Sequence, residues 1–218
     1  MASLLAIIVA TLNQSISDSL DVPSDWNLLL VNPWNPLPEG YEITLTQLQN
    51  GLSVDERCYP DLQDMMDNCR AADLQPVICS DYRSQETQQR LFNNQHNRLI
   101  VQGYSEENAR TEAGKVVAVP GTSEHQSGLA IDLSSPSVQM KLTEKFGDTP
   151  EGRWLASHAP FYGFILRYPF GKEDITRYPY EPWHIRFVTR TLAIYLTKTG
   201  MTLDEYYTIQ KKDCAMTV

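Results

Sequence analysis

His125 and Asp132 stand seven positions apart in "PGTSEHQSGLAIDLSS" (Pro120 to Ser135), and a further histidine, His184, opens the apolar stretch "HIRFV". Two imidazole nitrogens and one carboxylate oxygen make a three-ligand set for zinc that leaves a fourth position open. A metal held in this way brings the pKa of water to about 7. Taken singly, the residues say less. His184 beside Trp183 and Ile185 suits a hydrogen-bonded core histidine, and His125 in the polar turn "SEHQSG" suits a surface. Asp132 is the more informative residue, because a carboxylate inside "LAIDL" must be paired, hydrogen-bonded or metal-bound once it leaves water. Glu181 precedes His184 by three residues, with Pro182 stiffening the turn. It is placed to act as general base, by the logic of H-E-x-x-H but without its helical spacing. Arg83 in "SDYRSQETQ" is either a surface arginine or a fixed cation that polarises a scissile carbonyl and stabilises its oxyanion.

Elements must bring these distant side chains together. Leu62, Met65, Met66 and Cys69 recur at helical spacing in Asp55–Leu74, so this stretch is expected to be an amphipathic helix. "QPVICSDYRS" follows as a strand. Ser84 is then the expected N-cap of a second helix, with Thr87 and Gln88 in its first turn. "SEENARTEAGKVVAV" offers a third helix, starting at Ser105 and Glu106. "GLAIDLSS", Gly163–Tyr168 and "WHIRFV" read as strands, as does the short apolar run Trp26–Asn32. "EGRWLASHAPF" reads as a helix, and "TRTLAIYLTKTGMTLDEYYTI" as two short ones. Helices come first and then mix with strands, which predicts an α+β domain with a small, mostly antiparallel sheet.

The bulk numbers set limits. A chain of 218 residues suits one domain with a tail, domains running to roughly 100–200 residues. The expected division is an N-terminal tail over residues 1–25 and a catalytic domain over residues 26–218. The run Leu4–Leu12 is as long as a signal-peptide core and too short to span a bilayer, which takes about 20 residues. It reads as a trimmed signal or anchor remnant, or as a short packing helix. The net charge of −9, with no Lys/Arg-rich run, excludes a nucleic-acid footprint. The four cysteines (Cys58, Cys69, Cys79 and Cys214) form no C-x-x-C pair. Free or buried thiols are expected; a Cys58–Cys69 disulfide, which needs an oxidising compartment, is the alternative.

"SDYRSQETQ", "VAVPGTSEHQSGLAIDL", "YGFILRYP", "KEDIT" and "YEPWHIRFV" occur in this order and together resemble the zinc D-alanyl-D-alanine carboxypeptidases of the VanY kind. That superfamily also includes bifunctional vancomycin-resistance dipeptidase/carboxypeptidases and L,D-carboxypeptidases. The likeness covers roughly Leu28 to Val188, and its two specific motifs are S-x-H-x-x-G-x-x-x-D and E-x-W-H. It implies a small α+β domain of the hedgehog/DD-peptidase zinc fold. His125, Asp132 and His184 would be the zinc ligands, Glu181 the general base and Arg83 the residue that stabilises the transition state. Ser123 and Gln88 would hold the peptide's terminal groups. The implied partner is a peptidoglycan stem peptide or precursor, cleaved by a monomer that is secreted or anchored outside the membrane, or else cytoplasmic. One departure stands out: Asp81 occupies a position where the family commonly has glycine, and a carboxylate there could pair with Arg83 and alter its reach. Trp183 is expected to pack beneath the metal more than to touch substrate. Tyr162 and Tyr180 are open between cleft and core, and His96 and His158 are expected at the surface.

Overall fold

The computed structural model describes residues 26–216; the run Leu4–Leu12 and the expected tail over residues 1–25 lie outside the described residues. An antiparallel hairpin comes first, formed by β1 (Leu45–Gln47) and β2 (Ser53–Asp55). Helix α1 (Tyr59–Ala71) follows, then β3 (Val77–Ser80), α2 (Gln85–Val101) and α3 (Glu106–Gly114). A 3₁₀ turn at Glu124–Ser127 leads into β4 (Ala130–Ser134). After α4 (Pro150–His158) come β5 (Phe164–Leu166), the one-turn helix α5 (Glu173–Thr176), β6 (His184–Phe187), α6 (Arg190–Thr199) and α7 (Leu203–Met216). The main sheet has the order β3-β4-β6-β5, and each neighbouring pair is antiparallel. The predicted α+β class with a small antiparallel sheet is what the chain adopts.

Alternation along the two central strands separates core from site. Leu129, Ile131 and Leu133 of the β4 segment and Ile185 and Phe187 of β6 enter the main core, with Leu62, Met65 and Met66 of α1 and Leu155 of α4. Side chains of a strand alternate between faces, so Asp132 and His184 project from the opposite face. They are also direct register partners across the β4–β6 ladder. Directly opposed residues place their Cβ atoms about 4.5–5.5 Å apart. On the far side of the sheet centre Ile165, Val188, Leu192, Leu196 and Leu203 form a second cluster with Leu30. A third cluster (Phe92, Leu99, Ala109 and Ala113) welds α2 to α3.

Several elements differ from expectation. Trp26–Asn32 is not a strand: it makes no ladder, and its carbonyls at Asn27 and Leu29 accept from Arg186 Nη2 at 3.2 and 2.7 Å. A buried guanidinium satisfies the backbone there in place of a neighbouring strand. Helix α1 starts at Tyr59, not Asp55, because Asp55 closes β2 and its carboxylate holds Arg57; Pro60 sits in the first turn, where it forfeits no helical bond. Helix α3 ends at Gly114, so Val116 to Ala118 are free to line the cleft described below. Ser84 and Ser105 cap α2 and α3 as expected, accepting from the backbone N–H of Thr87 and Asn108. Cys58, Cys69 and Cys79 are free thiols. Cys58 and Cys69 flank α1 from end to end, about 16 Å apart at 1.5 Å per residue, far beyond disulfide reach. No helix among the described residues is long and apolar enough to cross a membrane.

Candidate active site

One cleft of about 400 Å³ is lined by Arg83, Ser123, Glu124, His125, Asp132, Tyr168, Tyr178, Glu181, Trp183 and His184, with Leu91, Val116 to Ala118 and Leu142 at its walls. Six of the seven residues singled out from the sequence therefore meet in one place. Gln88 is the exception: it is fully buried, and its amide donates to the carbonyl of Ala118 at 2.7 Å, so it braces the cleft wall from behind.

His125, Asp132 and His184 are buried and offer one ligand atom each, all within 4.8 Å of one another. His125 Nδ1 lies 2.7 Å from the carbonyl oxygen of Asp81 and donates its proton there. That commits the ring to the tautomer whose Nε2 lone pair is free, and Nε2 lies 3.2 Å from Asp132 Oδ2. His184 turns its Nδ1 toward Asp132 Oδ1 at 2.9 Å, while its buried Nε2 has no hydrogen-bond partner. Ligands at roughly 2.0–2.1 Å from a tetrahedral zinc ion lie a little over 3 Å apart, and the three ligand atoms here, within 4.8 Å of one another, are close enough to converge on one ion. Two imidazoles, one of them with its second nitrogen already engaged with a carbonyl, and one carboxylate are a donor set that fits zinc.

The electrostatics suit a cation. Burial alone would raise Asp132, yet flanking His125 and His184 hold its carboxyl well below the usual range. Burial, with Arg83 and His184 nearby, pushes His125 below the ordinary imidazole value, against the pull of Asp132. Burial opposes charge on His184 too, but Asp132 and Glu124 outweigh it and raise it to about 9. Glu181 is pushed up to about 7, chiefly by burial. Its turn is fixed by backbone bonds: Glu181 N donates to Tyr168 O at 3.1 Å, and His184 N donates to Glu181 O at 3.1 Å. The E-x-x-H spacing thus closes one turn that puts base and ligand in the same cleft.

Arg83 reaches the site from the loop after β3. Its backbone N–H donates to the carbonyl of His125 at 3.1 Å, and its Nη2 meets Ser80 Oγ at 2.7 Å and Asp132 Oδ2 at 3.4 Å. Asp81 does not pair with it. The Asp81 carboxylate instead accepts from the backbone N–H of Ser53 at 2.5 Å and ties the β1–β2 hairpin to the site loop. Trp183 both packs on the main core and lines the cleft. Tyr162 packs on the core and Tyr180 lies edge-on to Phe170; the tyrosines of the cleft are Tyr168 and Tyr178, stacked with centroids 4.6 Å apart. His96 pairs with Glu106, and His158 is exposed and stacks on Trp154, both outside the cleft lining.

Sequence reasoning missed Glu124, Tyr168 and Tyr178. Glu124 stands beside His125 in a polar turn and gives no local sign of burial, yet it is 2% exposed.

A buried His–Asp–His cluster on the open face of a small antiparallel sheet, with a carboxylate and an arginine in the same cleft, is the layout of a metallopeptidase. Residues 51–190 match the VanY family, described as D-alanyl-D-alanine carboxypeptidase. A D-alanyl-D-alanine carboxypeptidase of Enterococcus faecalis (strain ATCC 700802 / V583) is 40% identical over 187 residues, spanning 86% of this chain and 68% of that protein. The solved structure of VanYB in complex with D-alanine-D-alanine superposes with a TM-score of 0.76 at 39% identity, covering 84% of this chain and 98% of that one. A mutant of a vancomycin-resistance D,D-pentapeptidase VanY from a VanB-type cassette, solved in complex with Zn(II), gives a TM-score of 0.74 at 39% identity, covering 84% and 99%. This chain belongs to the VanY family of D-alanyl-D-alanine carboxypeptidases.

Proposed function

We propose that this protein is a zinc-dependent carboxypeptidase that removes the C-terminal D-alanine from D-alanyl-D-alanine-ended peptidoglycan stem peptides, working outside the cytoplasmic membrane as a monomer. The observation that carries the reading is the meeting of His125, Asp132, His184, Glu181 and Arg83 in one cleft.

His125 through Nε2, Asp132, and His184 through Nδ1 would hold the metal. When bound, zinc acidifies water and polarises a carbonyl oxygen. The chain's own residues do the rest. Glu181, as carboxylate, takes a proton from the attacking water and later delivers it to the leaving amine of D-alanine; its burial raises its basicity for the first of these steps. The Arg83 guanidinium faces the oxyanion that develops on the scissile carbonyl, and the Ser80 hydroxyl and the His125 carbonyl keep it there. Ser123 lines the cleft beside them and is assigned to the peptide's terminal groups. Gln88 acts on the peptide indirectly, by fixing the Ala118 carbonyl and with it the apolar wall. Between β4 and β5, only Leu142 among the described residues reaches the cleft lining, while Phe146 and Leu155 pack on the core. That leaves room for a chain longer than a dipeptide and supports a carboxypeptidase over a pure dipeptidase.

The test is D-alanine release from a stem pentapeptide, a tetrapeptide and free D-alanyl-D-alanine, each with and without a chelator. Chelator-sensitive release from the pentapeptide above the other two is expected. Release from the tetrapeptide alone makes the enzyme an L,D-carboxypeptidase, preference for the dipeptide makes it a dipeptidase, and release from none makes the fold a binding module.

A further inference from the structure

Glu124 follows Ser123 and precedes His125, yet its carboxylate turns away from the surface into the protein. Its Oε1 accepts from Arg167 Nε at 2.7 Å and from Arg186 Nη1 at 3.1 Å, and all three side chains are fully buried. The other oxygen, Oε2, has no hydrogen-bond partner and stands 3.5 Å from His184 Nε2, which has none either. Two buried, unpartnered polar atoms of opposite character thus face each other directly behind a metal ligand. Unmade polar groups of this kind are costly, and both are relieved if Nε2 carries the proton and the pair closes.

We propose that Glu124 is a positioning residue for the metal centre: it fixes His184 in the tautomer with Nε2 protonated, so that the Nδ1 lone pair points toward Asp132 and the metal. The inference rests on the zinc carboxypeptidase reading. The two arginines explain why the residue is a carboxylate. With both guanidinium donors on one oxygen, a glutamine would have to aim its NH₂ either at them or at His184 Nε2. The first arrangement opposes donors to donors. The second favours the tautomer with Nδ1 protonated, which cannot ligate. The arginines also anchor the carboxylate: Arg167 continues to both oxygens of Asp204 on α7, and Arg186 to the carbonyls of Asn27 and Leu29. One buried acid therefore ties the chain ahead of β1 and the last helix to a histidine of the site.

Nitrogen-15 NMR of the zinc-loaded wild-type protein reads the tautomer directly. A proton on His184 Nε2 is expected, and a proton on Nδ1 overturns the proposal. Zinc affinity of Glu124→Gln, measured by competition with a chromophoric chelator, is expected to fall roughly 10–100-fold, the usual effect of losing a partner behind a ligand, with an altered spectrum of the cobalt-substituted protein. If Glu124→Gln fails to fold, Glu124→Gln combined with Arg167→Met removes one charge of each sign and carries the same expectation. Either folded variant binding zinc like the wild type overturns the proposal. Wild-type protein that binds zinc with the expected tautomer but releases no D-alanine leaves this inference standing and sinks the carboxypeptidase reading instead.

Discussion

Gly128 caps the 3₁₀ turn that carries His125 and leads toward the strand that carries Asp132, so its geometry sets the spacing of two ligands. It has φ +72°, and an added Cβ would overlap Ile43 Cδ1 and lie 3.1 Å from the backbone nitrogen of Asp55 and 3.3 Å from Asp55 Cβ. The same glycine's carbonyl accepts from Asp55 N at 3.0 Å, so the β2 backbone has little room to withdraw. In Gly128→Ala the left-handed conformation costs about 1–2 kcal/mol. Crowding adds about 1–3 kcal/mol, at the lower end where the Ile43 side chain swings aside. Gly103→Ala is the matched control, because Gly103 has φ +93° and nothing within 4 Å of an added Cβ, so it carries the conformational cost alone. For a domain of this size each kcal/mol lowers Tm by about 2–4 °C. Thermal unfolding of the metal-free proteins is thus expected to show a loss on the order of 10 °C for Gly128→Ala and of roughly 5 °C for Gly103→Ala. Zinc affinity is expected to weaken in the first only. Equal losses in the two variants, with equal zinc affinity, would refute the argument that close approach of Asp55 to Gly128 holds the two ligands in register.

Glu181→Gln should keep its zinc, by metal analysis, while kcat falls about 10²–10⁴-fold, the range for losing a general base; near-normal turnover in zinc-replete protein removes Glu181 from that role. Glu181 must be ionised to take a proton, so kcat/KM should fall as the pH drops through its pKa. Burial places that pKa at about 7 before a cation is added, and a cation lowers it, so the acid limb should lie at or below that pH and disappear in Glu181→Gln. With His184 raised to about 9, its ring is protonated at neutral pH in the metal-free site, and zinc must displace that proton from Nδ1. Calorimetric titration in buffers of different ionisation enthalpy should therefore show net proton release on zinc binding at pH 7, with the share from His184 fading as the pH rises through about 9. Asp81→Ala should cost about 1–3 kcal/mol through the stranded Ser53 N–H and leave kcat/KM unchanged, since the carboxylate does not touch Arg83; a change in kcat/KM alone would restore a pairing of the two.

The chemistry of this protein was legible in residue types and local spacing wherever the geometry is local. An aspartate in an apolar strand demands a partner, and Pro182 in a four-residue turn keeps Glu181 beside His184. Strand alternation puts Asp132 on the face away from Leu133 whatever the rest of the chain does. Ser84 and Ser105 cap helices because a side-chain oxygen three residues ahead of a free N–H is itself a local relation. Tertiary structure decided what depends on partners far along the chain. The register of β4 against β6 sets Asp132 opposite His184, and nothing within either strand encodes it. Arg186 takes the carbonyls of Asn27 and Leu29, so an apolar run with strand composition forms no ladder. Asp81 was free to pair with Arg83 as far as sequence goes, but Ser53 N is nearer. Glu124 gives no local sign of burial, because its charge is matched only by Arg167, just after β5, and Arg186 of β6, both far along the chain. Local sequence dictates dihedral preference and face; the desolvation and pairing of charge are settled only when separate segments meet.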